Sequence, residues 1–325
     1  MSHFLNIQDN LRPSTLKDFI GQEKIKRNLK VFIESAKLRK EHLDHTIFYG
    51  PPGLGKTTLA YIIANELNVK FYAISGPVIK KPIDLLGILT SLSPKSVLFI
   101  DEIHRLPKVV EEYLYSALED FKIDIPIESG LSKEIIRVNL EPFTLVGATT
   151  RIGMVGKPLR ERFGISFHLD FYNTKEIFLI LKRNAKILNI KFENEGALYE
   201  IAKRSRGTPR IANNLLKRVR DFAVIKNKGV ITKELTQKAL DEMDIDEHGL
   251  NPLDRKILKI LYEHLNSGPL GIKTISNMLG EEVETIETLC EPFLLKQGFI
   301  KKTPRGRMIT PKGIKIIEKS HFFSR

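Results

Sequence analysis

One glycine-rich segment has the residue types and spacing that can hold a chain of phosphates. Gly50-Pro-Pro-Gly-Leu-Gly-Lys56-Thr57 follows a short apolar run, Thr46–Tyr49, and precedes a helical pattern at Thr58–Leu67. A phosphate-binding loop requires this order of strand, glycine-rich turn and helix. A chance match somewhere in a chain of average composition has a frequency on the order of 1%. The segment therefore predicts a nucleotide site, with ATP as the expected ligand.

The individual positions of this loop predict separate roles. Gly53 and Gly55 allow backbone N–H groups to point at phosphate oxygens, at the positive end of the following helix dipole. Lys56 would place its charge at the β- and γ-phosphates, and Thr57 would supply a hydroxyl ligand to Mg²⁺. Thr58 completes the nucleotide contacts that we predict in the loop. The sequence therefore predicts that ATP binds together with Mg²⁺.

A pair of carboxylates follows a second buried strand. Val97–Ile100 is apolar and runs into Asp101 and Glu102, downstream of Lys56 in the expected strand–helix–strand order. The carboxyl ends of parallel strands share one edge of a sheet, so both carboxylates should lie beside the phosphate loop. We expect Asp101 in the Mg²⁺ shell and Glu102 as the general base that polarises the attacking water.

The elements that would position these residues alternate along the first half of the chain. Apolar β-rich runs are separated by amphipathic helical patterns, which predicts a parallel α/β sheet. After Tyr172 the pattern becomes helical, and the acidic stretch Asp241–Gly249 marks a further boundary. We expect an α/β core in residues 1–172, a small helical domain in residues 173–250 and a third domain in residues 251–325. The β-rich runs are Thr46–Tyr49, Phe71–Ile74, Val97–Ile100, Phe143–Val146 and Ile165–Phe171.

The third domain has the pattern of a winged helix-turn-helix. Helical segments at 253–265, 272–279 and 282–297 precede two short β-like segments around a turn at Thr303–Arg307. The last of these helices is rich in glutamate and would repel DNA phosphates, whereas Phe299–Lys312 is basic and contains no acid. The wing is therefore the predicted DNA contact, made to the phosphate backbone of any duplex rather than to particular bases.

Composition limits the class of protein. The 325 residues carry 52 Lys+Arg against 39 Asp+Glu, a net charge of +13 that attracts polyanions such as nucleic acids. A single cysteine, Cys290, can form neither an internal disulfide nor a thiolate metal cluster, and its neighbours predict a packed residue. No segment approaches the ~18 apolar residues of a membrane span, and no secretory signal is visible. We therefore expect a cytoplasmic protein with no membrane partner.

A further strand leads into residues that are typical of one ATPase family. Phe143–Val146 runs into Gly147-Ala-Thr149-Thr150-Arg151, and in combination with the two sites above this segment resembles the AAA+ ATPases. In that family a polar residue after this strand senses the γ-phosphate. The resemblance implies Thr149 or Thr150 in this role, with Thr150 preferred.

Two arginines complete the catalytic residues that the resemblance implies. Pro158-Leu-Arg160-Glu-Arg162-Phe-Gly164 resembles the segment that offers an arginine finger to a neighbouring subunit, which implies Arg162. A guanidinium that reaches the γ-phosphate in trans would stabilise transition-state charge and make hydrolysis depend on ring assembly. Gly207-Thr-Pro-Arg210 resembles the second sensor of these ATPases, so Arg210 would connect lid closure to nucleotide state.

The resemblance also implies the base pocket and the complete fold. The segment from Leu11-Arg12-Pro13 to Phe19-Ile20-Gly21-Gln22 resembles the entrance of the family's adenine pocket, and Leu11, Arg12, Ile20 and Tyr172 are the expected base contacts. The implied fold is a P-loop AAA+ parallel-sheet core, a small all-helical lid domain and a C-terminal winged-helix domain.

Within the AAA+ family, the chain is most similar to the motors that drive branch migration. This likeness implies a homo-hexameric ring that encircles duplex DNA and moves four-way Holliday junctions during recombination and repair. A junction-binding protein and a junction resolvase are the implied partners. The stretches that carry the likeness are Leu43-Asp-His-Thr-Ile-Phe-Tyr-Gly-Pro-Pro-Gly-Leu-Gly-Lys-Thr-Thr58, Asp101-Glu-Ile-His-Arg-Leu106, Gly207-Thr-Pro-Arg-Ile-Ala-Asn213 and Thr303-Pro-Arg-Gly-Arg307.

An inserted β-hairpin is predicted near residues 123–140, where apolar and polar residues alternate on both sides of a turn. Pro126 removes a donor from the ladder, which suits an edge or protruding strand. The resemblance implies that this hairpin docks the junction-binding protein, through Ile125, Ile127 and Ile136. A hairpin packed on its own domain is the alternative.

Three basic residues of the wing are the predicted DNA contacts. The resemblance points to Lys302 and Arg307, and Arg305 lies on the same acid-free turn. The strongest alternative function is an AAA+ origin initiator or loader, a nucleotide-dependent DNA-binding switch that also joins this ATPase to a winged helix. A two-lobed helicase is disfavoured because no second α/β core follows Tyr172.

Overall fold

The chain divides into two units, Met1–Asp170 and Phe171–Arg325. The computed structural model describes residues 11–129 and 132–322, and the side chains of residues 125–129, 132–134 and 320–322 are not described.

Within the described part of the first unit, five parallel strands form one sheet in the order β2-β3-β6-β1-β7. Strands β3 and β6 are buried along nearly their whole length, as expected of parallel strands covered on both faces. Tyr49 pairs with Thr149 and Ile100 pairs with Gly147, so the carboxyl ends of β1, β3 and β6 meet at one edge. The expected parallel α/β sheet is confirmed. The strands are β1 (Thr46–Tyr49), β2 (Phe71–Ser75), β3 (Val97–Asp101), β6 (Thr144–Thr149) and β7 (Ile165–His168).

Helices of the first unit connect these strands and cover the sheet. Helix α2 begins at Lys56, directly after the phosphate loop. Helix α4 buries Val110 and Leu114 in the same core as the sheet residues Leu98 and Leu145. The helices are α1 (Glu23–Arg39), α2 (Lys56–Leu67), α3 (Pro82–Thr90), α4 (Lys108–Glu119) and α5 (Lys157–Glu161).

An antiparallel hairpin joins α4 to β6. Its strands are β4 (Lys122–Ser129) and β5 (Ser132–Asn139), each of eight residues. The buried Ile123 anchors the base of the hairpin, where the Leu140 N–H also donates to the Phe121 carbonyl at 2.8 Å. Ile125 lies opposite Ile136 in the register.

The second unit is mainly helical and contains a small antiparallel wing, which is followed by one further helix. A short parallel pair, β8 with β9, lies among the first helices, and β10 pairs with β11. The elements are α6 (Thr174–Ile187), β8 (Lys191–Phe192), α7 (Glu195–Arg204), α8 (Pro209–Lys226), β9 (Val230–Ile231), α9 (Lys233–Glu242), α10 (Pro252–Glu263), α11 (Ile272–Leu279), α12 (Val283–Thr285), α13 (Glu291–Lys296), β10 (Ile300–Thr303), β11 (Gly306–Ile309) and α14 (Pro311–Phe322).

The helix expected over about residues 282–297 is confirmed as a helical segment from Val283 to Lys296, but it is not α-helical throughout. A π-helical turn, Ile286–Cys290, separates α12 from α13. Pro292 lies in the first turn of α13 and has no N–H to donate to the preceding turn, which accounts for the interruption. Cys290 is a packed residue, as expected, and burial raises the pKa of its thiol to about 12.

None of the helices within the described residues is long and apolar enough to cross a membrane. The limits of the three expected domains stay predictions.

Candidate functional site

The phosphate loop relies on glycine backbones. Gly50, Gly53 and Gly55 have φ angles of +137°, +77° and +104°, a region that residues with a Cβ rarely adopt. At Gly50 a Cβ would also lie 2.3 Å from the Leu169 carbonyl oxygen. The loop can therefore wind tightly between β1 and α2, which leaves backbone N–H groups for an anion at the start of the helix.

Lys56 is the buried cation of this loop. Its side chain is largely enclosed, with the residue 8% exposed, and Nζ donates to the carbonyl oxygens of Gly50 at 2.7 Å and Pro51 at 2.8 Å. Burial lowers the pKa of Lys56 to about 8, against the opposing attraction of Asp101. A polyphosphate would supply the negative charge that the carbonyl dipoles do not, so the loop fits the triphosphate of a nucleotide.

The two carboxylates lie at the same edge of the sheet as the loop. Asp101 ends β3, and its Oδ1 accepts the Glu102 N–H at 3.0 Å. Glu102 has a left-handed backbone, with φ of +50°, which is uncommon for a residue with a Cβ. A Cβ at Gly76 would lie 2.7 Å from the Glu102 carbonyl oxygen, so the end of β2 packs closely against this turn. The fold thus brings both predicted carboxylates to the phosphate loop.

Glu102 is accessible for chemistry. Its side chain is 47% exposed, and Oε2 accepts from Arg105 Nη1 at 3.0 Å. Thr57, the other predicted Mg²⁺ ligand, is half-buried in the first turn of α2. Within the described residues no group of three or more His, Cys, Asp or Glu could hold a metal ion. The two predicted protein ligands, Thr57 and Asp101, suit a Mg²⁺ that is held mainly by phosphate oxygens.

The two threonines after β6 have different surroundings. Thr149 is buried, and its hydroxyl hydrogen-bonds to His104 Nδ1 at 2.9 Å and accepts the Arg151 N–H at 2.9 Å. Thr150 is exposed directly beyond the end of the strand. Because the Thr149 hydroxyl is already engaged, the surroundings favour Thr150 as the γ-phosphate sensor, which stays a prediction.

Arg162 is held by one face of α4. Its Nη2 lies 3.0 Å from Glu119 Oε1, Nε donates to the Tyr115 carbonyl at 3.2 Å, and the guanidinium lies 4.6 Å from the centroid of the Tyr115 ring. Glu111 is on the same face, and its carboxylate accepts the N–H of Gly156 at the start of α5. The spacing of four residues places all three α4 side chains in one row. This row contacts both ends of α5, the short helix that Arg162 directly follows, and so fixes its orientation.

The buried His45 fixes α4 to the sheet. Its Nδ1 accepts the Leu145 N–H at 2.9 Å, so Nε2 carries the proton and donates to the Leu118 carbonyl at 3.0 Å. Burial lowers the pKa of His45 to about 4, and the ring is neutral at ordinary pH. His45 therefore ties β6 to the end of α4, next to Glu119.

Residues of the predicted base pocket lie against α2. The Arg12 guanidinium is 5.8 Å from the centroid of Tyr61, and the Leu16 N–H donates to Glu66 at 3.1 Å. Leu11 is buried and Ile20 is half-buried in the same segment. Arg12 thus contacts the helix that follows the phosphate loop, and Leu11 and Ile20 belong to the same segment of the chain.

The other two predicted nucleotide contacts belong to the second unit. The Tyr172 N–H donates to the Gly207 carbonyl at 2.9 Å, and a Cβ at Gly207 would lie 2.5 Å from the Tyr172 carbonyl oxygen. Arg210 is exposed in the first turn of α8, just beyond this contact. Tyr172 and the sensor segment are thus neighbours in this unit, and their contact with nucleotide stays a prediction.

The wing departs from expectation at Arg307. This residue is 8% exposed, and its guanidinium lies 2.8 Å from Glu291 and 3.7 Å from Glu287. The acidic helix that should repel DNA thus neutralises the Arg307 side chain, and the DNA contact expected at Arg307 stays a prediction that this pairing disfavours. Lys302 and Arg305 are exposed, although Lys302 Nζ also lies 3.5 Å from Glu291.

Comparison with known families gives three consecutive matches. They are the Holliday junction DNA helicase RuvB P-loop domain over residues 11–169, the RuvB AAA lid domain over residues 172–246 and the RuvB C-terminal winged helix domain over residues 247–318. The chain belongs to the RuvB family. The expected fold of a P-loop core, an AAA+ lid and a winged helix is confirmed.

Individual relatives agree along nearly the whole chain. The Holliday junction branch migration complex subunit RuvB of Flavobacterium psychrophilum is 53% identical over 97% of this chain and 92% of its own length. The subunit of the same name from Parabacteroides distasonis is 56% identical over 92% of this chain and 88% of its own length. The solved Thermotoga maritima RuvB Holliday junction branch migration motor has a TM-score of 0.86 and 48% identity, covering 95% of this chain and 98% of that one. Membership of the RuvB family favours the motor over the initiator alternative.

Some residues of this RuvB-family chain escaped sequence reasoning. Tyr115 and Glu119 hold Arg162, and Glu291 holds Arg307. The row on α4 could have been found from its spacing of four residues, because residues so spaced lie on one helix face. Glu291 had a weaker signal, because it is the last of several glutamates in the acidic segment that begins at Glu281.

Proposed function

We propose that this chain is the ATP-hydrolysing subunit of a DNA motor that drives branch migration of Holliday junctions in recombination and repair. The observation that carries the proposal is one sheet edge that joins the phosphate loop, with its buried Lys56, to Asp101 and Glu102, in a RuvB-family chain that also has a winged helix. Nucleotide chemistry and DNA binding thus belong to one polypeptide.

The phosphate loop holds ATP through Gly53, Gly55 and Lys56, with Thr58 as a further contact. Thr57 and Asp101 bind the Mg²⁺ that ATP brings. The adenine base contacts Leu11, Arg12, Ile20 and Tyr172.

Hydrolysis needs a base, sensors and a trans arginine. Glu102 polarises the attacking water, and its accessible carboxylate supports this role. Thr150 senses the γ-phosphate, and Arg210 reports nucleotide state to the lid. Arg162 acts on the nucleotide of the next subunit in a homo-hexameric ring, so Glu119 would release it as the ring assembles.

Duplex DNA and four-way junctions are the substrates, and the exposed Lys302 and Arg305 provide backbone contacts on the wing. A RuvA-like junction-binding protein docks on the hairpin of β4 and β5, where the register places Ile125 opposite Ile136 and alternation places Ile127 on the same face. Ile136 is 47% exposed, which supports docking, and the side chains of Ile125 and Ile127 lie outside the described residues. A RuvC-like resolvase belongs to the wider complex. The motor works in the cytoplasm.

The test measures migration of a synthetic four-way junction with and without ATP and the junction-binding protein. The wild type should migrate the junction only with ATP and faster with the partner. Glu102→Gln should bind ATP and the junction but fail to migrate it, and Lys56→Ala should fail to bind ATP. Junction binding without ATP-dependent migration by the wild type would contradict the motor and favour a DNA-binding switch.

A further inference from the structure

Arg206 lies at the junction between α7 and α8, directly before the segment that carries Arg210. Both Arg206 and Gly207 have left-handed backbones, with φ of +61° and +66°. This strained turn directs the chain into α8, and it carries an arginine side chain that is only 10% exposed. The role that we propose for Arg210 does not require an arginine at position 206.

The partners of Arg206 all lie in the winged-helix part of the second unit. Its guanidinium lies 3.2 Å from both carboxylate oxygens of Asp254, and Nη2 donates to the Leu289 carbonyl at 3.0 Å. The guanidinium also lies 4.3 Å from the centroid of the Phe293 ring. Asp254 is fully buried in the first turn of α10, and its Oδ2 accepts the N–H of Asn251, the residue that caps this helix, at 3.0 Å. One lid side chain is thus held by three separate elements of the winged helix.

The contacts continue from these elements to the wing. Leu289 is in the π-helical turn, and Phe293 is on α13, which begins at Glu291. The Glu291 carboxylate accepts hydrogen bonds from both Nε and Nη2 of Arg307, which is on β11. The wing strand β11 is thus bonded to the same helix on which Arg206 packs.

The type of contact indicates a rigid connection. A guanidinium presents its donors in a fixed plane, so the two bonds to Asp254 and the stacking on Phe293 define its orientation. Enclosure keeps water from replacing these bonds, and buried ionic networks of this kind can specify one arrangement of the elements they join. π-helical turns occur often at functional sites, and here the turn supplies the Leu289 carbonyl.

We propose that Arg206 is a positioning residue that couples the nucleotide-sensing helix α8 to the DNA-binding wing, so that the lid and the winged helix move as one body. The inference rests on the proposed function, in which Arg210 responds to nucleotide and the wing holds DNA. Arg206 touches neither ligand in this scheme. Arg206 transmits a movement of α8 to the wing, or of the wing to α8, through Asp254, Phe293 and Glu291.

The test measures junction migration and ATP hydrolysis in the same reaction, with the full chain and the junction-binding protein. In Arg206→Ala the number of base pairs migrated per ATP should fall by about fivefold or more, as expected when coupling between two sites is lost. ATP hydrolysis without DNA, and duplex binding with its salt dependence, should stay within error of the wild type. Arg218→Ala is the matched control, because it removes an exposed arginine ion pair, with Asp221, from the same unit.

A second variant separates coupling from folding. Arg206→Ala leaves Asp254 buried without its cation and is expected to destabilise the second unit. The double variant Arg206→Met with Asp254→Asn removes both charges, retains an acceptor at the helix cap and should fold normally. The double variant should show the same fall in base pairs migrated per ATP as Arg206→Ala. Arg206→Lys should retain only part of the wild-type number, because an ammonium lacks the planar pair of donors.

The outcomes distinguish the two proposals. If the wild type hydrolyses ATP but does not migrate junctions, the proposed function fails. If the wild type migrates junctions and the folded double variant retains the wild-type number of base pairs per ATP, the proposed role of Arg206 is overturned. If hydrolysis and migration fall together at a constant ratio, Arg206 is structural and the coupling role is again wrong.

Discussion

Lys56 in the phosphate loop and Arg307 in the wing are both 8% exposed, yet their partners differ. Lys56 donates to two backbone carbonyls, whereas Arg307 donates to both oxygens of the Glu291 carboxylate. Carbonyl dipoles satisfy the hydrogen bonds of a buried cation but leave its charge uncompensated, whereas a carboxylate neutralises it. Lys56 therefore retains a charge that an anionic ligand can neutralise, whereas the charge of Arg307 is already neutralised by Glu291.

The comparison separates two reasons for finding a basic residue in a motif. A glycine-rich motif predicted the Lys56 site and a resemblance together with a basic turn predicted Arg307, but only the partners decide which cation can bind a ligand. Arg162 lies between the two cases, because its side chain is 20% exposed and it has both a carboxylate partner, Glu119, and two carbonyl partners.

Replacing Arg162 tests the intermediate case and has the largest expected effect. Arg162→Ala should leave ATP binding by isolated subunits intact and lower hydrolysis in the assembled state by roughly 10³-fold, the scale of other trans arginines. Steady-state hydrolysis over a range of protein concentrations measures this loss. Glu119→Gln should hydrolyse ATP in the assembled state at least as fast as the wild type, because it frees the same guanidinium.

Mixing experiments check that Arg162 acts across subunits. Lys56→Ala subunits keep their own Arg162, so they should restore part of the hydrolysis when mixed with Arg162→Ala subunits. If mixed rings form and restore nothing, Arg162 is a structural ion pair like Arg307.

A matched pair of methionine variants tests the comparison itself. Arg307→Met leaves Glu291 buried without its main cation and should cost about 3–5 kcal/mol of unfolding free energy. Lys56→Met should cost little stability, because it removes a desolvated charge, but it should weaken ATP binding by about 2–5 kcal/mol. Denaturant midpoints and titration calorimetry measure the two quantities. Equal losses of stability in both variants would contradict the distinction.

The wing should bind DNA through its exposed cations alone. Lys302→Ala with Arg305→Ala removes two phosphate contacts, each worth about 0.9 in the salt slope of duplex binding, so the slope should fall by up to about 2. Affinity should fall by a similar factor on unrelated sequences. Arg307→Met, where it folds, should leave the slope unchanged. A fall of about 0.9 in the slope of Arg307→Met, the value of one phosphate contact, would return Arg307 to the DNA contact.

The smallest expected effect is a pH dependence that belongs to Lys56. Below its pKa of about 8 the free ammonium is already charged, so ATP affinity should be constant. Above that pH, binding must first return a proton to Lys56, and affinity should fall about threefold from about pH 7.5 to about pH 8.5. Lys56→Arg keeps its charge throughout, and its weaker affinity should not change over this range. The same fall in Lys56→Arg would assign the titration to another group.

The first unit was largely predictable because its signals are local. A strand, a glycine-rich turn and a helix define the position of Lys56 by themselves, and the apolar run before Asp101 determines where that carboxylate emerges. The left-handed backbone of Glu102 was not predictable, since residues with a Cβ rarely adopt it and the neighbouring turn at Gly76 comes from a different strand end.

Contacts between distant parts of the chain could not be predicted from patterns. Glu291 and Arg307 belong to different elements, and the interrupted helix, which the sequence presents as continuous, orients the first toward the second. Arg162 and Glu119 are likewise brought together only by the packing of α5 on α4. Residue type indicated charge at each of these positions, but burial and partner are properties of the folded chain.

If the proposed junction-binding partner docks on the hairpin of β4 and β5, mechanical force from that partner would enter the subunit through this hairpin. Each strand has eight residues, so the hairpin reaches roughly 27 Å at about 3.4 Å per residue. A pull on both strands along this axis stretches two covalent backbones side by side and places no shear on the ladder between them. The tension then arrives at the base, where Ile123 is buried and Leu140 is bonded to Phe121. A pull along one strand alone would instead load the hydrogen bonds of the ladder in shear, so a partner that contacts both strands would transmit force with less strain on the hairpin.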